Sequence, residues 1–155
     1  MLDECRALLY MPRPMSQQTT LILLKPDCIS KNLCGEVLRR FEAEGFKIRG
    51  LKMLQLDDDV LKEHYAHIAT KPFFPEVATF MQSTPVVAVA LRGDDVIDRV
   101  RTLLGPTDSS KAAKGTIRGD YGGDMMVNVA HASDSPESAK AELKRFFKPH
   151  EVFTF

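Results

Sequence analysis

The sequence predicts an α+β sandwich, a mostly antiparallel sheet covered by helices. Two short apolar runs, Leu21–Leu24 and Val86–Leu91, read as buried strands. Between them Phe46 to Leu56 alternates, with Phe46 and Ile48 on one face and Lys47 and Arg49 on the other, as a half-buried strand does. This strand follows its preceding helix closely, and its alternation points to pairing with the next element, which favours an antiparallel arrangement.

Each element has a local reason. Lys25-Pro26 ends the first apolar run, so the strand presents a lysine at its C-terminal end and proline stops it. From Ser30 to Glu44, Leu33, Val37, Leu38 and Phe41 recur at helical spacing, and Gly45 supplies the stop. The alternating strand changes phase around Gly50, a bulge signal. Asp57, Asp58 and Asp59 place a cap and negative charge at the start of a second helix with Val60, Leu61, Tyr65 and Ile68 inward. Pro72-Phe73-Phe74-Pro75 opens a short helix reaching about Met81. A helix over 94–104 follows the second apolar strand, with Val96, Ile97, Val100, Leu103 and Leu104 inside and Gly105 at its end. Residues 105–115 show no period, Val127–Ala130 is short and strand-like, and Ser135-Pro136 opens a last helix with Ala139, Leu143, Phe146 and Phe147 inward.

The bulk properties exclude several classes. A chain of 155 residues has the length of one domain. With 44% hydrophobic and 27% charged residues it is not a disordered chain. Its formal net charge of +0 argues against a general nucleic-acid binder, which needs a basic excess. Cys5, Cys28 and Cys34 form no C-x-x-C pair and no disulfide framework, which fits a reducing cytosol and a cytoplasmic location. There is no apolar run of membrane-spanning length and no signal-peptide pattern. Residues 1–18, with Met11-Pro12-Arg13-Pro14-Met15, read as a loose extension before a domain over 19–155, with Met15 an alternative start.

Neither G-x-x-x-x-G-K-[ST] nor a G-x-G-x-x-G after a strand is present, so phosphates would have to be held by side chains. Lys25, Arg101, Arg118 and Asn128 are candidates, although each alone reads more readily as a solvated surface charge or a turn residue. His131 lies between the last short strand and a helix entry, where side chains become exposed, but a core histidine bonded to a carbonyl fits the same pattern. His64 and His67 flank Tyr65 without carboxylate or cysteine partners at zinc-like spacing, and His150 lies in a tail.

The segment Asn128-Val129-Ala130-His131-Ala132-Ser133-Asp134-Ser135 resembles the N-x-x-H-G-S-D-S signature around the phosphorylated histidine of nucleoside diphosphate kinases. Leu24-Lys25-Pro26-Asp27 resembles that family's first strand and lysine. Gly35-Glu36-Val37, Arg40-Phe41-Glu42 and Gly45-Phe46 resemble its first helix and turn, and Lys71-Pro72-Phe73-Phe74 its nucleotide lid. Leu104-Gly105-Pro106-Thr107 and Gly115–Asp120 bracket a segment similar to the family's long loop, so the resemblance runs in order from about 19 to 149.

The resemblance implies a ferredoxin-like βαββαβ sandwich with added helices and a long loop. It implies transfer of the γ-phosphate of a nucleoside triphosphate, typically ATP, to a nucleoside diphosphate. The route is ping-pong through a phosphohistidine at His131, and it maintains nucleoside triphosphate pools. By the same resemblance Lys25, Tyr65, Arg101, Thr107, Arg118 and Asn128 hold the phosphates and the base stacks on Phe73. A phenyl ring has no hydrogen-bonding groups, so broad base specificity follows. His131 would attack through Nδ1, with Lys25 assisting, Glu142 orienting the ring and the Ser133 hydroxyl near the leaving oxygen. By itself Glu142 reads as a solvated helix charge, and only the resemblance gives it this role. Mg²⁺ would arrive on the phosphates and water, without a protein ligand, and the chain would form a hexamer or tetramer with no membrane or nucleic-acid partner.

Three departures from the family pattern stand out. Ala132 stands in place of glycine, at a cost of about 1 kcal/mol if φ there is positive. Asp108-Ser109 replaces asparagine-proline, so Ser109→Pro is expected to stabilise the loop if the Ser109 N–H is free. Thr84 replaces glycine before Pro85. The alternative is a ferredoxin-like binding module without catalysis, which would have no reason to keep Lys25, Arg101, Arg118, Asn128 and Glu142 together with His131.

Overall fold

The apolar runs form one four-stranded sheet in the computed structural model, which describes residues 14–155. The strands are β1 (Gln17–Leu24), β2 (Lys47–Leu54), β3 (Val86–Asp94) and β4 (Ala130–Ala132), in the order β2-β3-β1-β4 with every neighbouring pair antiparallel. The helices are α1 (Pro26–Ser30), α2 (Cys34–Ala43), α3 (Asp58–His64), α4 (Phe74–Gln82), α5 (Val96–Leu104), α6 (Ile117–Tyr121) and α7 (Pro136–Phe146). Elements β1, α2, β2, β3, α5 and β4 make the βαββαβ core, and the remaining helices are additions to it. No helix among the described residues is long and apolar enough to cross a membrane.

Both faces of β1 and β3 are buried, which is why their sequences run apolar without alternation. On one face Ile22, Leu24, Val89 and Leu91 pack with Val37 and Phe41 of α2 and Val100 and Leu104 of α5. On the other, Leu21, Leu23, Ala88 and Ala90 pack with Leu61 of α3, Phe74 and Met81 of α4, and Phe146 of α7. Each large side chain buried in this way contributes about 1.5–3 kcal/mol.

Local signals act where expected. Asp57 accepts from the Val60 N–H at 2.8 Å and caps α3, and Ser135 accepts from the Ser138 N–H at 3.1 Å and caps α7. The register of β2 on β3 shifts between Ile48 and Gly50, the expected bulge. Gly45 turns the chain after α2 with φ 85°, a value that disfavours side chains.

Other boundaries move for tertiary reasons. The helix expected over 30–44 is split, because Asn32 adopts φ 56° between α1 and α2. The helix expected from 94 begins at Val96, since β3 continues to Asp94 opposite Gln17. Gln17 and Gln18, expected in the loose extension, therefore belong to β1, while residues 1–13 of that extension lie outside the described residues. Ile68 lies beyond α3, which ends at His64 with Tyr65 as its cap. The strand expected at 127–130 is instead Ala130–Ala132, so His131 lies within it, opposite Leu23.

The departures from the family pattern carry no backbone strain. Among the described non-glycine residues only Asn32, Asp95 and Val129 have positive φ, so Ala132, paired with Ile22, and Thr84 sit in ordinary conformations. Ser109 opens a short 3-10 turn, and its N–H is not free: it donates to the Asp124 carbonyl at 3.2 Å. Its hydroxyl is buried without a partner. The condition for stabilisation by proline is therefore not met. Ser109→Ala removes the orphan hydroxyl and should raise stability by about 1 kcal/mol. Ser109→Pro adds about 0.4–1 kcal/mol from restricting the unfolded chain, but it loses a backbone hydrogen bond worth about 1 kcal/mol. Thermal melting should place the proline variant at or below the alanine variant; a proline variant clearly above it would show that the Ser109 N–H bond contributes nothing.

Candidate active site

The site begins where β1 stops. Lys25 follows the last β1 residue, and its backbone N–H donates to the Val129 carbonyl at 2.9 Å. Two residues on, the Asp27 carboxylate accepts from the Val129 N–H at 2.9 Å. Val129 is fully buried and held at φ 74°, a conformation costly for a β-branched residue. This turn sets Asn128 beside Lys25 and sends the chain into β4, where His131 stands.

Lys25 Nζ donates to Asn128 Oδ1 and to the Met126 carbonyl, each at 2.8 Å. The Asn128 amide nitrogen in turn donates to the carbonyls of Thr107 at 3.0 Å and Met125 at 2.9 Å. Arg118, buried on α6, donates to the carbonyls of Asn128 at 3.1 Å, Gly105 at 3.0 Å and Ala130 at 2.6 Å. Thus Lys25, Asn128 and Arg118 tie the long loop to both sides of Val129. Burial lowers the Lys25 ammonium to about 8, with Asp27 opposing the shift. Burial, followed by neighbouring Arg101, lowers Arg118 to about 10, so it remains charged at neutral pH.

Glu142 on α7 is only 7% exposed, and its carboxylate bonds Nε2 of His131. It is therefore a buried partner, not a solvated helix charge. A carboxylate accepts, so the proton sits on Nε2 and the lone pair of the neutral ring is on Nδ1. The His64 ring stands edge to face against His131, with centroids 4.5 Å apart at 82°. Its Nδ1 lies 3.0 Å from Arg145 Nη1. Burial first, then the neighbouring His131 and Arg145, lower His64 to about 2 and keep it neutral. Burial and then Glu142 raise the Tyr65 hydroxyl to about 12, which leaves it a proton donor at neutral pH.

Two clefts meet around Tyr65, His67 and Thr107. One, of about 970 Å³, is lined by His64, Tyr65, Arg101, Thr107, Arg118 and His131. The other, of about 880 Å³, is lined by Lys25, Tyr65, Phe73, Phe80, Thr107 and Met126. Phe73, 51% exposed at the start of α4, stands at the rim of the second cleft. The walls offer cations and neutral donors to an anion with several oxygens, next to an imidazole with one free nitrogen.

Ser133 departs from its expected place. It is fully buried and lines neither cleft; its hydroxyl accepts from the Leu21 N–H at 3.3 Å and reaches the Leu21 carbonyl at 3.5 Å. Packing of β4 against β1 turns it inward as a backbone clamp. Two residues gained a place that sequence reasoning did not assign. Asp27 was visible only as part of the lysine motif, and His64 only as a neighbour of Tyr65. Spacing gave His64 no ligating partners, yet the fold brings ligating atoms of His64, His131 and Glu142 within 4.8 Å of one another. Arginine only donates, so Arg145 leaves the His64 proton on Nε2 and no lone pair there for a cation.

Comparison with known proteins gives the family. The family model for nucleoside diphosphate kinase matches residues 18–152. The chain is 48% identical over 138 residues to a nucleoside diphosphate kinase of Parabacteroides distasonis, covering 89% of this chain and 90% of that one. It is 50% identical over 134 residues to one from Rhodopirellula baltica, covering 86% and 88%. Among solved structures, the Aquifex aeolicus nucleoside diphosphate kinase superposes with TM-score 0.84 at 44% identity, covering 89% of this chain and all (100%) of that chain. A halophilic nucleoside diphosphate kinase from Halobacterium salinarum in complex with CDP gives TM-score 0.87 at 37% identity, covering 90% and 93%. A family model spanning nearly the whole domain, together with relatives of this identity and coverage, shows that the chain belongs to the nucleoside diphosphate kinase family of transferases.

Proposed function

We propose that this chain moves the γ-phosphate of a nucleoside triphosphate to a nucleoside diphosphate by way of phosphorylated His131. The observation that carries the reading is the buried Glu142 carboxylate on Nε2 of His131, which leaves Nδ1 free beside a cleft walled by cations. The Nδ1 lone pair forms a bond to the γ-phosphorus while the bond to the bridging oxygen breaks and a nucleoside diphosphate leaves. A second diphosphate then attacks the same phosphorus through a terminal oxygen, the N–P bond breaks, and the ring regains its lone pair. Lys25, Arg101 and Arg118 stabilise charge on the transferred group, with Tyr65, Thr107 and Asn128 as neutral donors. Glu142 holds the proton on Nε2 throughout.

Mg²⁺ fits as a companion of the phosphates, because the His64, His131 and Glu142 cluster is mainly nitrogen, whereas this ion prefers oxygen. Bound there it would neutralise phosphate charge. Phe73 offers a stacking face that suits any base, and the Halobacterium salinarum relative in complex with CDP supports acceptance of a pyrimidine. The edge strand β2 exposes Leu51 and Met53, which supports a homo-oligomer, a hexamer or a tetramer. The free thiols of Cys28 and Cys34 support a cytoplasmic enzyme that maintains nucleoside triphosphate pools.

Three measurements test this reading. With γ-labelled ATP and Mg²⁺, label should attach to His131 in an acid-labile, base-stable form, and kinetics with purine or pyrimidine diphosphates should give parallel double-reciprocal lines. Label on a His131→Gln protein, or intersecting lines, would refute it. Glu142→Gln should lower kcat by roughly 10²-fold, because the ring loses its orienting carboxylate, and should leave KM within about twofold. A kcat close to the original would remove Glu142 from the mechanism.

The third measurement concerns Lys25, which binds phosphate as an ammonium. Because its pKa in the free protein is lowered to about 8, the charge is present below that pH and lost as pH rises through it. The ratio kcat/KM, which reports the free enzyme, should therefore fall about tenfold per pH unit above about 8. The corresponding limb of kcat should lie higher, since bound phosphate retains the proton. A kcat/KM that stays level up to the ordinary lysine value of 10.5 would contradict the assignment.

A further inference from the structure

His64 stands against His131, and the mechanism above gives it no task. It is the last residue of α3 and is 9% exposed. Its Nδ1 faces Arg145 Nη1 at 3.0 Å. A guanidinium can only donate, so Nδ1 must be the acceptor and Nε2 carries the proton. That Nε2 is buried and has no hydrogen-bond partner. A ring nitrogen of His64 lies within 4.8 Å of both a His131 ring nitrogen and a Glu142 carboxylate oxygen. Tyr65 and Phe146 stand edge-on to His64, at 4.8 Å and 5.1 Å between centroids, and keep its ring from swinging away.

The guanidinium also approaches a surface carboxylate. Arg145 Nε lies 3.2 Å from the Glu63 carboxylate, one residue before His64 on α3. Glu63 is largely exposed and Arg145 Nε makes no hydrogen bond to it, so this pair is screened and contributes little. A buried donor normally finds a partner, and one left over beside the reacting pair marks a constraint worth explaining. A doubly protonated His64 would compete with His131 for the Glu142 carboxylate. Burial and the positive charge of Arg145 prevent it.

We infer that Arg145 and His64 are positioning residues for His131: Arg145 selects the Nε2–H tautomer of His64, and that N–H edge braces the His131–Glu142 pair in the arrangement that leaves Nδ1 of His131 free. This rests on the phosphohistidine reading. The bracing acts on the chemical step, because it fixes ring orientation and touches no phosphate. Its loss should therefore appear in the rate of phosphorylation and not in nucleotide affinity.

Nitrogen-15 NMR of histidine-labelled protein reads imidazole tautomers directly, and single-turnover transfer from γ-labelled ATP reads phosphorylation of His131. In the unsubstituted protein His64 should show the Nε2–H form. Arg145→Met should give a mixture of tautomers and slow label transfer roughly tenfold, with KM within about twofold. Arg145→Lys, which retains one donor, should restore both readouts in part. His64→Gln, whose amide nitrogen replaces Nε2, should keep more of the rate than His64→Leu. Glu63→Gln, which removes only the surface charge, should leave the rate unchanged. An Nδ1–H signal for His64 in the unsubstituted protein would overturn the proposal even if no variant folded. A changed tautomer in Arg145→Met with an unchanged rate would overturn the positioning role alone, whereas absence of label in the unsubstituted protein would overturn the phosphohistidine reading as well.

Discussion

The site depends on a strained valine and the groups that hold it. Val129 occupies the left-handed region at φ 74°, which costs on the order of 1–3 kcal/mol for such a residue. Two backbone bonds, one from the Lys25 N–H and one to the Asp27 carboxylate, hold it there. Burial of its side chain adds about 1.5–3 kcal/mol, so the conformation is outweighed locally. Everything downstream follows from this turn. A one-residue slip of β4 would move His131 to the opposite face of the sheet, away from Glu142 and the clefts.

The same turn explains how an electrically neutral chain builds a cationic site. Lys25 and Arg118 are buried, which disfavours their charged forms. The structure answers with carbonyl oxygens in place of carboxylates: Met126 and Asn128 Oδ1 for the lysine, and Gly105, Asn128 and Ala130 for the arginine. Dipoles satisfy the donors without cancelling the charge, so the cations keep their pull on an incoming anion. The Glu142 carboxylate faces Nε2 of His131 and leaves Nδ1 alone. Neighbouring groups thus have opposite tasks set by their surroundings.

The two-sided core makes these placements rigid. Ile22 and Leu24 are locked under α2 and α5, while Leu21 and Leu23 are locked under α3, α4 and α7, so β1 cannot shift in either direction. Lys25 inherits that immobility from the strand before it. Ser133, clamped to the Leu21 backbone, passes it to the end of β4. Phe73 and Thr107, on the exposed approaches, are the site residues least constrained by the core.

The sequence by itself determined the strands and the helices α2, α3, α4, α5 and α7 but not the short α1 and α6, together with both helix caps at Asp57 and Ser135, the bulge near Gly50 and the α+β class. These depend on periodicity and on interactions within a few residues. The resemblance also named Lys25, Tyr65, Phe73, Arg101, Thr107, Arg118 and His131, which line the two clefts, because a motif records residue types in order. Tertiary structure alone decided the rest. It placed His131 inside β4, turned Ser133 inward, buried Glu142 against Nε2, engaged the Ser109 N–H with Asp124 and brought His64 and its partner Arg145 against His131. In each case the deciding contact joins residues distant in the chain or a backbone angle imposed by packing, and neither leaves a period or a spacing that local sequence can display.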